Sequence, residues 1–154
     1  MRAVTRVACA GVSYGARMNL RIGLASVTHA PLFAGLLVLL LFGLGLNASR
    51  MRVKLRIFRG DGGNPAMAAA ERAHGNTVEH ALPLMVLLVL LELMGVGKGL
   101  IALLGTLIVL ARVLRSAGML AQVRAVGMTG VVMTYLLELV MSVGTISASL
   151  RAME

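Results

Sequence analysis

Residues 25–49 read ASVTHAPLFAGLLVLLLFGLGLNAS, a run without a single Asp, Glu, Lys or Arg. A helix that crosses a bilayer needs about 20 consecutive, mostly apolar residues, because each residue advances the helix by about 1.5 Å. The run therefore predicts a first transmembrane helix. The basic residues that begin at Arg50 and the turn-forming sequence GDGGNP at residues 60–65 predict its end near Ser49.

Apolar stretches recur along the rest of the chain and predict further helices at about 66–94, 100–118 and 122–150. The third and fourth stretches contain charged residues, but charges near helix ends can reach the interface, and a bundle can hide inward-facing polar groups. We therefore expect an all-α integral membrane protein. Residues 25–150 would form a single four-helix domain.

The composition supports a membrane protein. Of 154 residues, 58% are hydrophobic and the mean hydropathy is +0.90, whereas soluble domains use about 45–50% apolar residues. The net charge of +9 would also suit a nucleic-acid binder, but only 3% of residues are aromatic and the bases lie between apolar runs. Cys9 is the sole cysteine, which excludes an intramolecular disulfide, and His29 and His74 lack paired metal ligands, so we predict no metal site.

The basic residues also predict an orientation. They are most numerous around the first and third connections, which the positive-inside rule places in the cytoplasm. Residues 1–24 contain four arginines and no long apolar core, so we interpret them as a flexible basic leader. Translation could begin at Met1 or at Met18, and the orientation bias is stronger with the second start.

One face of the predicted second helix contains polar side chains. At about 100° per residue and with Arg72 as the reference, Asn76 falls at about +40° and Glu79 at about −20°. His80 and Pro83, at about +80° and about +20°, share this face. The stripe presents a cation, an amide and an anion in a line, which suits an extended zwitterionic ligand. A tripeptide such as glutathione has that form.

Polar residues at the end of a membrane helix can also be a solvated turn, in which Arg72 would pair with a lipid phosphate. Ionisable groups within membrane spans are costly and are functional by default. Helix geometry alone leaves both interpretations open. Pro83 cannot donate a hydrogen bond to the carbonyl of Glu79, which predicts a free backbone acceptor on the same stretch.

The stripe belongs to a longer motif, RAHGNTVEHALPL at residues 72–84, and the apolar run that follows it ends in ELMG at residues 92–95. This motif resembles the signature of the MAPEG family, the membrane-associated proteins of eicosanoid and glutathione metabolism. FRGDGG at residues 58–63 and ARVLRSAG at residues 111–118 are similar to the small bacterial branch. The similarity covers about residues 30–145.

The resemblance implies a homotrimer of four-helix subunits in a bacterial inner membrane, with glutathione bound between neighbours on the cytoplasmic side. It implies that Arg72 and Arg50 bind the glutathione carboxylates. Asn76 would bind a backbone amide of glutathione and Glu79 the γ-glutamyl ammonium. Arg112 would line the same cleft.

The likeness further implies that the protein stabilises the glutathione thiolate, which attacks a lipophilic electrophile or a hydroperoxide dissolved in the bilayer. A guanidinium near the sulfur favours the anion, and the candidates are Arg124 and then Arg115. The sequence also departs from the eicosanoid enzymes. His80, which we include among the glutathione contacts, replaces a common tyrosine, and RSAGM at residues 115–119 replaces a tyrosine-rich segment. The arginine that activates the thiol in those enzymes has no matching residue here, and Arg124, about two positions displaced, is the nearest basic residue.

Other interpretations remain open at this point. Arg115 and Arg124 could anchor lipid phosphates, and the protein could be a non-catalytic MAPEG-like scaffold or regulator that has lost thiol activation. A small transporter built around Glu138 is a weaker hypothesis, because no symmetric halves are present. We expect Glu138 to face a polar partner such as Tyr135, and Glu92 to be an interfacial carboxylate at the other membrane face.

Overall fold

The computed structural model describes residues 27–153, so the predicted leader at residues 1–24 lies outside the described part of the chain. In the described part, all regular structure is helical. The helices are α1 (Ala30–Leu55), α2 (Pro65–Leu93), α3 (Lys98–Leu120) and α4 (Arg124–Arg151).

Local sequence explains where the helices begin and end. The Asn64 side chain caps α2 by accepting hydrogen bonds from the backbone N–H groups of Ala66 and Met67, at 3.0 and 3.1 Å. The α1 helix continues to Leu55, past the predicted end at Ser49. The basic residues in this extension are good helix formers, and their long side chains reach the aqueous interface.

All four helices are long and apolar enough to cross a membrane. Short connections turn the chain back, so consecutive helices run antiparallel. The α2 and α3 helices lie at the centre, because each of them packs against both α1 and α4. Within the described residues, α1 and α4 do not pack against each other. The bundle therefore contains a three-helix region formed by α2, α3 and α4.

The two halves of the bundle have different interiors. The half near the α2–α3 connection contains an apolar core around the buried Leu84, Leu88, Ile101 and Ile108. In the other half, the buried side chains include Thr77, Arg112, Ser116 and Thr134. Many large apolar residues on the outer faces are exposed in the isolated subunit, as expected for helices that contact lipid or other subunits.

Glu92 connects the last turn of α2 to the beginning of α1. It is 4% exposed, and its carboxylate accepts hydrogen bonds from the backbone N–H groups of Thr28, His29 and Ala30 at 2.8–2.9 Å. Thr28 and His29 precede α1 and Ala30 is its first residue, so none of these N–H groups has an acceptor within the helix, and an anion is favourable at a helix N-terminus. Glu92 thus lies at the end of α2, as expected, and its carboxylate is buried against the start of α1. That this end lies at a membrane face stays a prediction.

We expect Glu92→Ala to lower the free energy of unfolding by about 2 kcal/mol, because it leaves the first N–H groups of α1 without their acceptor. Thermal unfolding of the detergent-purified protein measures this change. Glu92→Gln keeps an acceptor oxygen but loses the charge, so its melting temperature should lie between those of the alanine variant and the native protein. Equal melting temperatures for all three would contradict the capping role.

The α3 and α4 helices approach each other closely through glycines. A Cβ atom at Gly118 would overlap the backbone of Gly127, and a Cβ atom at Gly130 would lie 2.5 Å from the backbone nitrogen of Arg115. Small residues at such positions let two membrane helices pack backbone to backbone. The close crossing fixes the position of Arg115 relative to α4.

Candidate functional site

A cleft opens between α2, α3 and α4 in the polar half of the bundle. Its outer chamber has a volume of about 510 Å³ and lies among Pro65 of α2, Gln122 of the α3–α4 connection and the first turns of α4. Ligand sites in proteins commonly have volumes of about 300–1,000 Å³. Three arginines, Arg72, Arg115 and Arg124, line this chamber.

A smaller inner chamber of about 210 Å³ lies deeper in the bundle. It shares Arg115 and Met128 with the outer chamber, so these two residues stand where the chambers adjoin. Asn76, His80 and Arg112 also line the inner chamber. Its volume suits a single projecting group of a ligand whose body occupies the outer chamber.

Asn76 connects the two arginines of α3. Its side-chain oxygen accepts hydrogen bonds from Arg115 Nε at 3.3 Å and from Arg112 Nη1 at 3.4 Å. Arg112 Nη1 also donates to the backbone carbonyl of Asn76 at 3.3 Å. The amide therefore holds both guanidinium groups against α2, while its NH₂ group is available to donate to a ligand.

Arg112 is the largest fully buried side chain of the described residues, with 1% exposure. Its Nη2 donates to the hydroxyl of Thr134 on α4, and that hydroxyl donates in turn to the carbonyl of Gly130 at 2.7 Å. Within the described chain, Arg112 Nε has no hydrogen-bond partner. A buried guanidinium with a free donor next to a cavity favours an anionic or polar occupant.

His80 and Glu138 form a polar pair across the α2–α4 contact. His80 Nδ1 lies 2.7 Å from Glu138 Oε1, and the two side chains are 18% and 25% exposed. The Tyr135 ring meets the imidazole edge to face, with a centroid distance of 5.5 Å. Glu138 therefore does face a polar partner, as expected, but the hydrogen-bonded partner is His80, and Tyr135 contacts the imidazole instead.

The cleft collects most of the residues that the sequence singled out. Glu79 lies outside it, in an adjoining hollow of about 400 Å³ that Arg72 and Asn76 also line. Arg50 is exposed on α1, and no residue of α1 lines either chamber. Of the residues that the sequence predicted for the site, those that line one or both chambers are Arg72, Asn76, His80, Arg112, Arg115 and Arg124.

The width of the polar stripe explains this separation. Glu79 and His80 are adjacent in sequence and therefore point about 100° apart on a helix. The α3 and α4 helices cover the side of α2 that contains His80, and Glu79 remains exposed. Helical angles showed that the stripe shares a face, but the neighbouring helices decide which part of that face is enclosed.

Some polar contacts near the site were not predicted. The side chain of Arg52 pairs with Glu71 and also donates to the carbonyl of Gly60, which ties the end of α1 to the start of α2. Thr77 and Ser116 are hydrogen bonded at 2.9 Å between α2 and α3. Glu71 directly precedes the motif, and its charge was a possible signal for the pair with Arg52. The isolated hydroxyls of Thr77 and Ser116 gave no signal for their hydrogen bond.

The electrostatics of the cleft favour a negatively charged ligand. Its two chambers are lined by four arginines and, among the described residues, by no carboxylate. The described part of the chain contains no group of three His, Cys, Asp or Glu side chains that could hold a metal ion. What the arrangement can do chemically is bind carboxylates, hydrogen-bond an amide and stabilise an anion such as a thiolate.

Fold and site together define a class of protein, a four-helix membrane bundle with a basic, amide-containing cleft near one end. The chain belongs to the MAPEG family, whose family model matches residues 30–147. It is also similar to the Inner membrane protein YecN of Escherichia coli strain K12, with 30% identity over 89 residues that cover 58% of this chain and 68% of YecN. The YecN protein of Escherichia coli O6:H1 matches to the same extent. The resemblance seen in the sequence is thereby confirmed.

Proposed function

We propose that this protein binds glutathione in the α2–α3–α4 cleft and transfers it to lipophilic electrophiles, or reduces lipophilic hydroperoxides with it, through an arginine-stabilised thiolate. The observation that carries the proposal is the cleft itself. Three arginines surround a chamber of tripeptide size, and Asn76 and two arginines line a smaller chamber beside it. Membership of a family named for glutathione metabolism supports this choice of ligand.

The ligand groups can be assigned by charge. The carboxylates of glutathione bind Arg72 and Arg124 in the outer chamber, because guanidinium groups make bidentate bonds to carboxylates. The γ-glutamyl ammonium binds Glu79 in the hollow that adjoins Arg72. Arg50, which lies outside the cleft of its own subunit, contributes from a neighbouring subunit of a homotrimer.

The cysteinyl group extends into the inner chamber, where Arg115 and Arg112 are closest to the sulfur. A free thiol with a pKa of about 8.5 is only a few per cent ionised at neutral pH. The pKa of the thiol falls by about one unit for each ~1.4 kcal/mol by which the site stabilises the thiolate relative to the thiol. Arg115 is better placed for this task than Arg124, because it lines both chambers and Arg124 lines only the outer one.

A membrane location suits such chemistry, because a lipophilic substrate dissolved in the bilayer can reach the cleft laterally between helices. We place the protein in a bacterial inner membrane, as for the similar YecN. Nine of the eleven Lys and Arg residues in the described part of the chain lie at or near the end that contains the cleft, and Lys98 and Arg151 lie at the other. The positive-inside rule therefore predicts that the cleft faces the cytoplasm.

One observation supports a second candidate, a non-catalytic scaffold or regulator that binds glutathione without activating it. Met119 lines the outer chamber, in the segment that is rich in tyrosine in the eicosanoid enzymes. A thioether cannot donate a hydrogen bond to a thiolate. The two candidates differ in whether the bound ligand is ionised.

Calorimetry of glutathione binding to the detergent-purified protein tests the proposal. We expect saturable binding by the native protein and a loss of affinity of at least about tenfold for Arg72→Ala and for Glu79→Gln, because each removes one charged contact. Thiolate absorbance in the ultraviolet then separates the two candidates. A bound but fully protonated thiol would favour the scaffold.

Arg59→Ala is the matched control for Arg72→Ala. It removes the same charge at the same end of the bundle, from an exposed turn residue that lines neither chamber. Its affinity should equal that of the native protein. The proposal fails if the native protein does not bind glutathione, or if Arg59→Ala weakens binding as much as Arg72→Ala does.

A further inference from the structure

The hydrogen bond between His80 and Glu138 is not required to hold carboxylates or amides of a ligand. It places two ionisable side chains of α2 and α4 together in the polar half of a membrane bundle, at 2.7 Å. Polar side chains within membrane spans are expensive, and those that persist mark functional groups by default. We therefore expect this pair to have a chemical role in addition to ligand binding.

The hydrogen bond determines which nitrogen of His80 is available. An ionised carboxylate can only accept, so the bond to Glu138 requires the proton to be on Nδ1. In the neutral imidazole this leaves the lone pair on Nε2. The edge-to-face contact with Tyr135 restrains the ring further. Within the described residues, Nε2 has no hydrogen-bond partner, although His80 lines the inner chamber.

The charges around the imidazole suit a group that exchanges a proton with a neighbouring anion. From α4 it faces the Glu138 carboxylate and the Tyr135 phenol, and from α3 the guanidinium groups of Arg112 and Arg115 share its chamber. On α2 itself, Arg72 and Glu79 lie toward the exposed side, and no residue of α1 lines this chamber. Glu138 stabilises a positive imidazole, and the two arginines stabilise an anion in the chamber.

We infer that His80, oriented by Glu138, accepts the proton of the thiol that occupies the inner chamber. This inference rests on the proposed binding of glutathione. In the step, the S–H bond of the ligand breaks, an N–H bond forms at His80 Nε2, and no electrons are exchanged with another reagent. The products are a thiolate beside Arg115 and an imidazolium paired with Glu138, and the proton stays in the protein.

A merely structural link between α2 and α4 would make a different prediction. In that case the arginines alone would favour the thiolate, and the thiol proton would leave for the solvent. The number of protons released when glutathione binds therefore distinguishes a proton acceptor from a helix contact. Calorimetry in buffers with different ionisation enthalpies measures that number, and ultraviolet absorbance measures the fraction of bound thiolate.

The experiment uses the full-length protein in detergent at about pH 8, where an ordinary histidine is neutral. For the native protein we expect thiolate formation with far fewer than one proton released per thiolate. His80→Gln keeps a hydrogen-bonding side chain but not a basic nitrogen, so each thiolate that still forms should release about one proton to the buffer. Glu138→Gln should also raise the number of protons released per thiolate, because the imidazolium loses its carboxylate partner.

His74→Gln is the matched control. His74 is on the same helix but lines neither chamber of the cleft, so this variant should give the native proton count. Size-exclusion elution reports whether each variant is folded. If His80→Gln does not fold, the native count and the Glu138→Gln count still test the inference.

The outcomes separate this inference from the proposed function. Glutathione binding and a thiolate, with about one proton released per thiolate by the native protein, would overturn the role of His80 and leave the proposed function intact. The role of His80 would also be overturned if the native protein bound glutathione with its thiol protonated. It would be overturned as well if folded His80→Gln released as few protons per thiolate as the native protein. Absence of glutathione binding would overturn both.

Discussion

Arg115→Ala is expected to lower the affinity for glutathione by at least about tenfold and to abolish the thiolate absorbance of the bound ligand. Arg115 is the only arginine that lines both chambers in the described part of the chain. It also donates a hydrogen bond to the Asn76 side chain. The substitution removes the cation at the point where we propose that the sulfur enters the inner chamber, and it releases the amide that should contact the ligand. Calorimetry and ultraviolet absorbance measure the two effects.

Two further substitutions make this result specific. Arg115→Lys keeps the charge but loses the planar fork of donors, so it should retain part of the thiolate signal with weakened binding. Arg124→Ala removes an exposed arginine of the outer chamber alone, so it should weaken binding while leaving the bound thiol ionised. If Arg124→Ala rather than Arg115→Ala abolished the thiolate, the sulfur would have to lie in the outer chamber.

The sequence was sufficient to predict four membrane-spanning helices, because hydropathy and length report directly on the solvent around a helix. The first helix extends six residues beyond its predicted end, to Leu55. Basic residues end the apolar run there, but they do not end the helix. The boundary of a hydrophobic segment and the boundary of a helix are set by different physical properties, namely transfer free energy and backbone hydrogen bonding.

The cleft could be predicted only in part. The motif at residues 72–84 identified the helix face, because helical periodicity fixes which side chains point the same way. It did not show that Glu79 and His80 would be separated by the packing of α3 and α4. It also did not show that His80 would meet Glu138, which is 58 residues away in sequence. Such a contact depends on the rotation of two helices about their axes.

Glu92 and Glu138 illustrate the same limit. Each is a lone carboxylate in an apolar stretch, and the sequence indicates that each needs a partner or an interface. It does not identify that partner. One carboxylate binds the backbone N–H groups that begin α1, and the other binds an imidazole on α2. Glu92 therefore stabilises the fold, whereas Glu138 lies next to the site where we expect chemistry.

The glycines of α3 and α4 connect packing to the site. Gly118 and Gly130 face the opposite helix backbone, and a Cβ atom at Gly130 would lie 2.5 Å from the nitrogen of Arg115 and 2.8 Å from the carbonyl oxygen of Ala111. Backbone atoms within a helix cannot move individually. An added methyl group must therefore separate the two helices, and Arg115 would move with α3 away from α4.

We expect Gly118→Ala and Gly130→Ala each to lower the free energy of unfolding by about 3 kcal/mol, at the upper end of the usual cost of overpacking. Thermal unfolding in detergent measures the loss. Gly144→Ala is the matched control, because Gly144 lies on α4 like Gly130 and a Cβ atom there would meet nothing within 4 Å. It should be neutral or stabilise the protein by up to about 1 kcal/mol, since alanine favours helix formation.

The same variants test whether the helix contact supports the cleft. Where Gly130→Ala remains folded at low temperature, it should also weaken glutathione binding, because the added methyl displaces Arg115 from α4. Gly144→Ala should bind as the native protein does. Equal unfolding temperatures for Gly118→Ala, Gly130→Ala and Gly144→Ala would mean that α3 and α4 are not in backbone contact. The position of Arg115, and with it the junction between the two chambers, would then have to be different.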